Sequence, residues 1–181
     1  MDRPQRLYRH PANLFVAGFI GSPAMKLMKG VIRDEEVQLA RPRLALDPTH
    51  RPALREVELI VGIRPEAFPD AALAGSGLPA FDASVAVVEE LGSETHVFIE
   101  LDAESVMVEQ ARTDDPDDDL TLLTARGRAL VIARVEARSA AAAGEPIRLA
   151  VDPLQCYLFS PSTGEHLLGE ELAASTPSYQ G

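Results

Sequence analysis

One cysteine, Cys156, occurs in the chain, so no internal disulfide framework and no cysteine-cluster zinc site can form. Lysine is almost missing: Lys26 and Lys29 are the only two. No glycine is followed by lysine, which excludes the G-x-x-x-x-G-K-[ST] phosphate loop; G-x-G-x-x-G and G-x-S-x-G are absent as well. No apolar run approaches the roughly 18–20 residues that span a bilayer, the best being Leu14 to Ile20. A basic start followed by a long apolar segment and a cleavage site is also missing, so a secretory leader is not expected. Aromatic residues make up only 5 % of the chain and the net charge is −11. A nucleic-acid groove needs basic tracks and stacking rings, so nucleic acid is not an expected partner.

What is present describes a globular chain. Its 181 residues are 46 % hydrophobic and 25 % charged, enough to build a core without metal or disulfide staples. The charge is divided. Residues 1–64 hold 11 basic and 7 acidic side chains, a net of +4; residues 65–181 hold 6 and 21, a net of −15.

Along the chain, Asn13 to Ile20 reads as a short helix. Asn13 is placed to cap it, and Gly21-Ser22-Pro23 to stop it. Strands are expected at Leu27 to Arg33 and Glu36 to Ala40, with Arg33-Asp34-Glu35 as their turn. Arg41 to Pro52, with three prolines, reads as an irregular connection. Val57 to Ile63 is an apolar, β-branched run of the buried-strand type. Residues 67–80 read as a loop. Phe81 to Leu91, the turn Gly92-Ser93 and Thr95 to Leu101 form the clearest hairpin, with Val97, Ile99 and Leu101 on one face and His96, Phe98 and Glu100 on the other. Further strands are expected at Ser105 to Val108, Leu130 to Val135, Ile147 to Val151 and Leu154 to Phe159, with Ser162-Thr163-Gly164 as a turn. The pattern predicts a mainly all-β fold of barrel or sandwich type.

Candidate chemistry is sparse. The acidic run Asp114 to Asp119 fails as a calcium loop, which needs a glycine sixth and a glutamate twelfth. Counted from Asp114 these are Asp119 and Ala125; from Asp117 they are Leu122 and Arg128. It reads as a solvated, self-repelling loop. His10, His50, His96 and His166 show no ligand spacing, and Cys156 reads as a small buried hydrophobe. No catalytic, metal or cofactor site is assigned. Arg64 and Glu66 flank Pro65 at the exit of a buried strand. They read first as a local ion pair that fixes that exit, and second as a recognition turn.

Four phrases, in order, resemble one family. They are Leu7-Tyr8 with Pro11 to Met25; Gly62-Ile63-Arg64-Pro65-Glu66; Val87 to Val97 with Glu89, Gly92 and Ser93 at its turn; and Leu158-Phe159 with Thr163-Gly164. Together they are similar to the C-terminal part of the ATP-binding subunit of carbohydrate ABC importers, the maltose and glycerol-3-phosphate group. Lys26 and Ser160 depart from that pattern, standing where Asn and Asp are common, and the acidic stretch near 110–128 resembles an insertion. The resemblance implies three regions. Residues 1–25 would be the tail of a nucleotide-binding domain, its helix near 13–20. Residues 26–170 would be an OB-type β-barrel regulatory (TOBE) domain, and 171–181 a flexible tail. It implies a cytoplasmic homodimer, peripheral to the inner face of the membrane. Its partners would be the parent ATPase domain, the importer's membrane subunits and a regulatory protein. ATP and Mg would belong to the parent subunit, leaving this region without ATPase activity or a cofactor. A barrel module that binds a small oxyanion or sugar is the alternative the resemblance allows, with Arg64 and nearby backbone amides as the anion contact.

Overall fold

A computed structural model describes residues 4–34, 36–39, 43–45, 58–75, 77–106 and 128–167. Among the described residues two short helices, α1 (Pro4–Arg9) and α2 (Leu14–Phe19), precede nine strands. These are β1 (Lys26–Arg33), β2 (Glu36–Gln38), β3 (Arg43–Ala45), β4 (Glu58–Ile63), β5 (Ala80–Glu90), β6 (Glu94–Leu101), β7 (Ala129–Glu136), β8 (Pro146–Ala150) and β9 (Cys156–Phe159). They form two antiparallel sheets, ordered β3-β2-β1-β4-β9 and β7-β6-β5-β8.

Apolar alternation explains how the sheets share a core. Leu59, Val61 and Ile63 of β4 point inward with Met28 and Leu158. Val85, Val97, Ile99, Val131 and Leu149 meet them from the other sheet. Each fully buried side chain of this kind contributes about 1.5–3 kcal/mol. The second face of β4 is buried as well. Ile60 lies there with Met25, Leu27, Phe159 and Ala17 of α2 in a separate small cluster. A strand covered on both faces needs an unbroken apolar run, as Leu59 to Ile63 supplies. Gly62 leaves room on the α2 side. A Cβ there would collide with Met25 Sδ and lie 3.1 Å from Phe159 Cε2.

The mainly-β expectation agrees with this structure; the closed barrel does not. A bulge between Val85 and Val87 curls the four-stranded sheet. The sheet stays open, however: among the described residues its outermost strands are β7 and β8, and beyond β8 only a bridge from Leu149 to Asp70 follows. In the other sheet the outermost named strands are β3 and β9, and β9 is flanked by a single bridge from Phe159 to His166. Side-chain packing joins the two, with a short backbone bridge from Met28 of β1 to Ser105 just past β6.

Three local expectations also change. Arg43–Ala45 is a strand inside the proline-rich connection, paired to β2 with Val37 opposite Leu44. Residues 153–155 form a 3-10 turn, so the last strand starts at Cys156. Ser105 makes a single bridge to Met28, and positions 107–108 of that expected strand lie outside the described residues. The β6 face that carries His96 and Phe98 is mostly buried as well: Phe98 is 1 % exposed and His96 9 %. Of the acidic stretch only Arg128 is described; it donates to Glu100 at 2.6 Å. The tail at 171–181 also lies outside the described residues.

Candidate functional site

The Arg64 turn is built by three adjacent residues. Pro65 disfavours the helical region for the residue before it, and Arg64 is extended, with φ −87° and ψ 155°. Pro65, Glu66 and Ala67 then make one 3-10 turn. The strand direction of β4 is therefore continued, and it carries the guanidinium beneath the N-terminal helices.

There Arg64 is only 2 % exposed. Its Nη2 donates to Tyr8 O at 2.6 Å and its Nη1 to Ile20 O at 2.9 Å. The guanidinium carbon lies 3.7 Å from the centre of the Tyr8 ring and 5.6 Å from that of Tyr157. A desolvated cation over a ring gains about 2 kcal/mol, which offsets part of the cost of burying charge. Nε is buried and has no hydrogen-bond partner. Gly21 makes the close approach possible. Its φ is +125°, a region L side chains avoid, and an added Cβ would sit 3.0 Å from Arg64 Nη1.

Glu66 faces the same helix through another group. Its Oε1 accepts from Tyr8 Oη at 2.5 Å. Burial, and then Glu66, raise the Tyr8 pKa above its usual value, with Arg64 and Arg134 partly opposing the shift. Tyr8 therefore stays a neutral donor. The ion pair expected between Arg64 and Glu66 is replaced by two separate grips on one tyrosine, its carbonyl by Arg64 and its hydroxyl by Glu66. An incoming anion finds both terminal nitrogens of Arg64 already engaged.

The other candidate residues sit elsewhere. Glu89 is exposed near the end of β5 and lies opposite His96. Gly92 and Ser93 turn the β5–β6 hairpin, closed by Leu91 N–H donating to Glu94 O at 2.9 Å. Gly92 has φ +87° and open space around its α-carbon, so it serves the turn and not a close approach. Arg64 and Glu66 leave one sheet while these three residues shape the tip of the other.

Two further titratable groups are perturbed by burial. Burial pushes the Cys156 thiol up to about 12, with Asp152 adding to the shift, so the thiolate needed of a nucleophile is not formed near neutrality. His166 packs against Tyr157 and Phe159, with ring centres 5.9 and 5.3 Å away. Burial, helped by His10, lowers its pKa to about 4. Among the described residues no group of three or more His, Cys, Asp or Glu could hold a metal ion, and no helix is long and apolar enough to cross a membrane.

Sequence reasoning missed Tyr157, Gly21 and the grip on Tyr8. The signal available for them was a lone arginine directly after the apolar run Leu59 to Ile63, where a charge has to find local acceptors.

No protein-family model matches the chain. Individual relatives do. The trehalose import ATP-binding protein SugC of Mycobacterium tuberculosis is 32 % identical over 177 residues, covering 91 % of this chain and 43 % of the relative. The diacetylchitobiose uptake system ATP-binding protein MsiK of Streptomyces coelicolor is 32 % identical over 189 residues, covering 92 % and 42 %. The multiple sugar-binding transport ATP-binding protein MsmK of Streptococcus mutans is 40 % identical over 106 residues, covering 54 % and 28 %. The chain is thus homologous to ATP-binding subunits of sugar importers, and it spans less than half the length of these relatives.

Proposed function

We propose that this chain is the regulatory and dimerisation region of the ATP-binding subunit of a carbohydrate importer, and that it is not itself an ATPase. The observation that carries this reading is the match of 91 % of the chain to only 43 % of a trehalose-import ATP-binding protein. The chain's lack of a phosphate loop supports it, since nucleotide chemistry would then belong to the rest of such a subunit. In this reading two copies pair through strand faces and hold two ATPase halves together as they open and close. The parent domain and the importer's membrane subunits are partners, a regulatory protein docks on the sheets, and the assembly works at the cytoplasmic face of the membrane.

Two measurements on the purified chain test the proposal. Light scattering at micromolar concentration gives twice the chain mass, and ATP with Mg²⁺ is not turned over. A strict monomer at every concentration removes the dimerisation role. Turnover that survives repurification removes the non-catalytic one.

A further inference from the structure

Helices of six residues are marginal in water, because nucleation fixes several residues for very few hydrogen bonds. Each also ends in carbonyls that lack intrahelical partners. Arg64 binds one such carbonyl at the end of each helix, Tyr8 O on α1 and Ile20 O just past α2. One planar guanidinium therefore closes both helices at once, with its positive charge where the helix dipoles favour it.

Among the described residues the other attachments of this segment are few. Tyr8 Oη donates to Glu66 Oε1 at 2.5 Å, and Asn13 bridges to Glu165. Leu14 N–H donates to Gly164 O at 2.9 Å, and His166 N–H donates to Ala12 O at 3.0 Å. Ala17, with Leu14 at its margin, enters only the small cluster behind β4. Among the described residues, the large core between the sheets contains none from either helix. Phe15 and Phe19 stack on the outer side of α2 with ring centres 5.9 Å apart, and they stay exposed.

We propose that α1 and α2 form a single strap, latched by Arg64, that opens locally while the two-sheet body stays folded. Local opening needs weak apolar attachment and few bonds to the body, and the strap has both. The latch is a property of this chain alone. Its use rests on the proposed function: the strap would pass movement of the rest of the subunit to the sheets when latched and withhold it when open.

Native-state hydrogen exchange on the 181-residue chain tests this. In low guanidinium the Ala17 and Ile20 amides should exchange through an opening with weak denaturant dependence, whereas Val97 and Ile99 in β6 wait for global unfolding. Arg64→Gln should speed Ala17 and Ile20 at least tenfold and leave β6 unchanged. Arg64→Lys should recover part of the protection, because an ammonium lacks the fork that reaches two carbonyls. The latch is overturned if strap and β6 amides follow one denaturant dependence in the unsubstituted chain. It is also overturned if R64Q leaves the strap unchanged, or accelerates β6 equally. None of these readouts uses oligomeric mass or nucleotide turnover, so failure here is separate from failure of the proposed function.

Discussion

His166 carries the clearest pH dependence of any single residue. An exposed histidine titrates near 6.5, whereas this one is lowered to about 4 by burial and by the nearby His10. Above about pH 6.5 the ring is neutral in both the folded and unfolded chain, and its stabilising contribution is complete. As pH falls from 6.5 towards 4, the unfolded chain accepts a proton that the folded chain refuses. Stability is therefore lost across that window. The ceiling is about 3 kcal/mol, at about 1.36 kcal/mol per pH unit of displacement. Partial solvent contact of the ring brings the real figure below it. His166→Phe keeps the ring against Tyr157 and Phe159 and removes the titration. Guanidinium melts at pH 7 and pH 4.5 should show a smaller acid loss for H166F than for the unsubstituted chain. Equal losses would mean that His166 is not the group responsible.

At the scale of elements, α2 shows what a sequence can reveal. Asn13 Oδ1 accepts from Val16 N–H at 3.0 Å, the cap expected from its position. Loss of such a cap costs about 1 kcal/mol, or roughly fivefold in an opening equilibrium. Asn13→Ala should accordingly speed exchange at Ile20 about fivefold, while Asn13→Asp stays near the original rate. No change in N13A would show that α2 is held entirely by its tertiary contacts. The cap was legible because donor and acceptor are three residues apart. The partners of Arg64 are 44 and 56 residues away, so only its extended backbone, imposed by Pro65, could be read. Strand β3 was hidden for a related reason. Its pairing partner β2 fixes it between prolines, and pairing is a tertiary fact. Helix α1 has no apolar period to reveal it. On β6 the alternation correctly located Val97, Ile99 and Leu101 but did not show that Phe98, opposite Val87 on the other face, is covered too.

For the whole molecule the deciding quantity is the acidic excess. Residues 65–181 carry 21 acidic and 6 basic side chains. Like charges at that density oppose compaction, and exposed ion pairs return little. Lys29–Glu104, Arg128–Glu100 and Arg148–Asp82 are all solvent-exposed, the class that contributes about 0–1 kcal/mol each. Salt weakens both effects, so its net sign reports which is larger. Raising ionic strength from 0.01 to 0.15 M shortens the screening length from about 30 to about 8 Å. A pair in contact at 2.6 Å, such as Arg128 Nη1 and Glu100 Oε2, keeps most of its attraction at that screening length. Repulsions spread over a whole surface act at longer range and are cut more deeply. Tm should therefore rise with salt, by about 2–4 °C for each kcal/mol of repulsion relieved in a chain of this size. Differential scanning calorimetry at the two ionic strengths checks the sign. A Tm that falls would mean the arginine–carboxylate contacts outweigh the repulsion, and that the acidic surface costs this fold nothing.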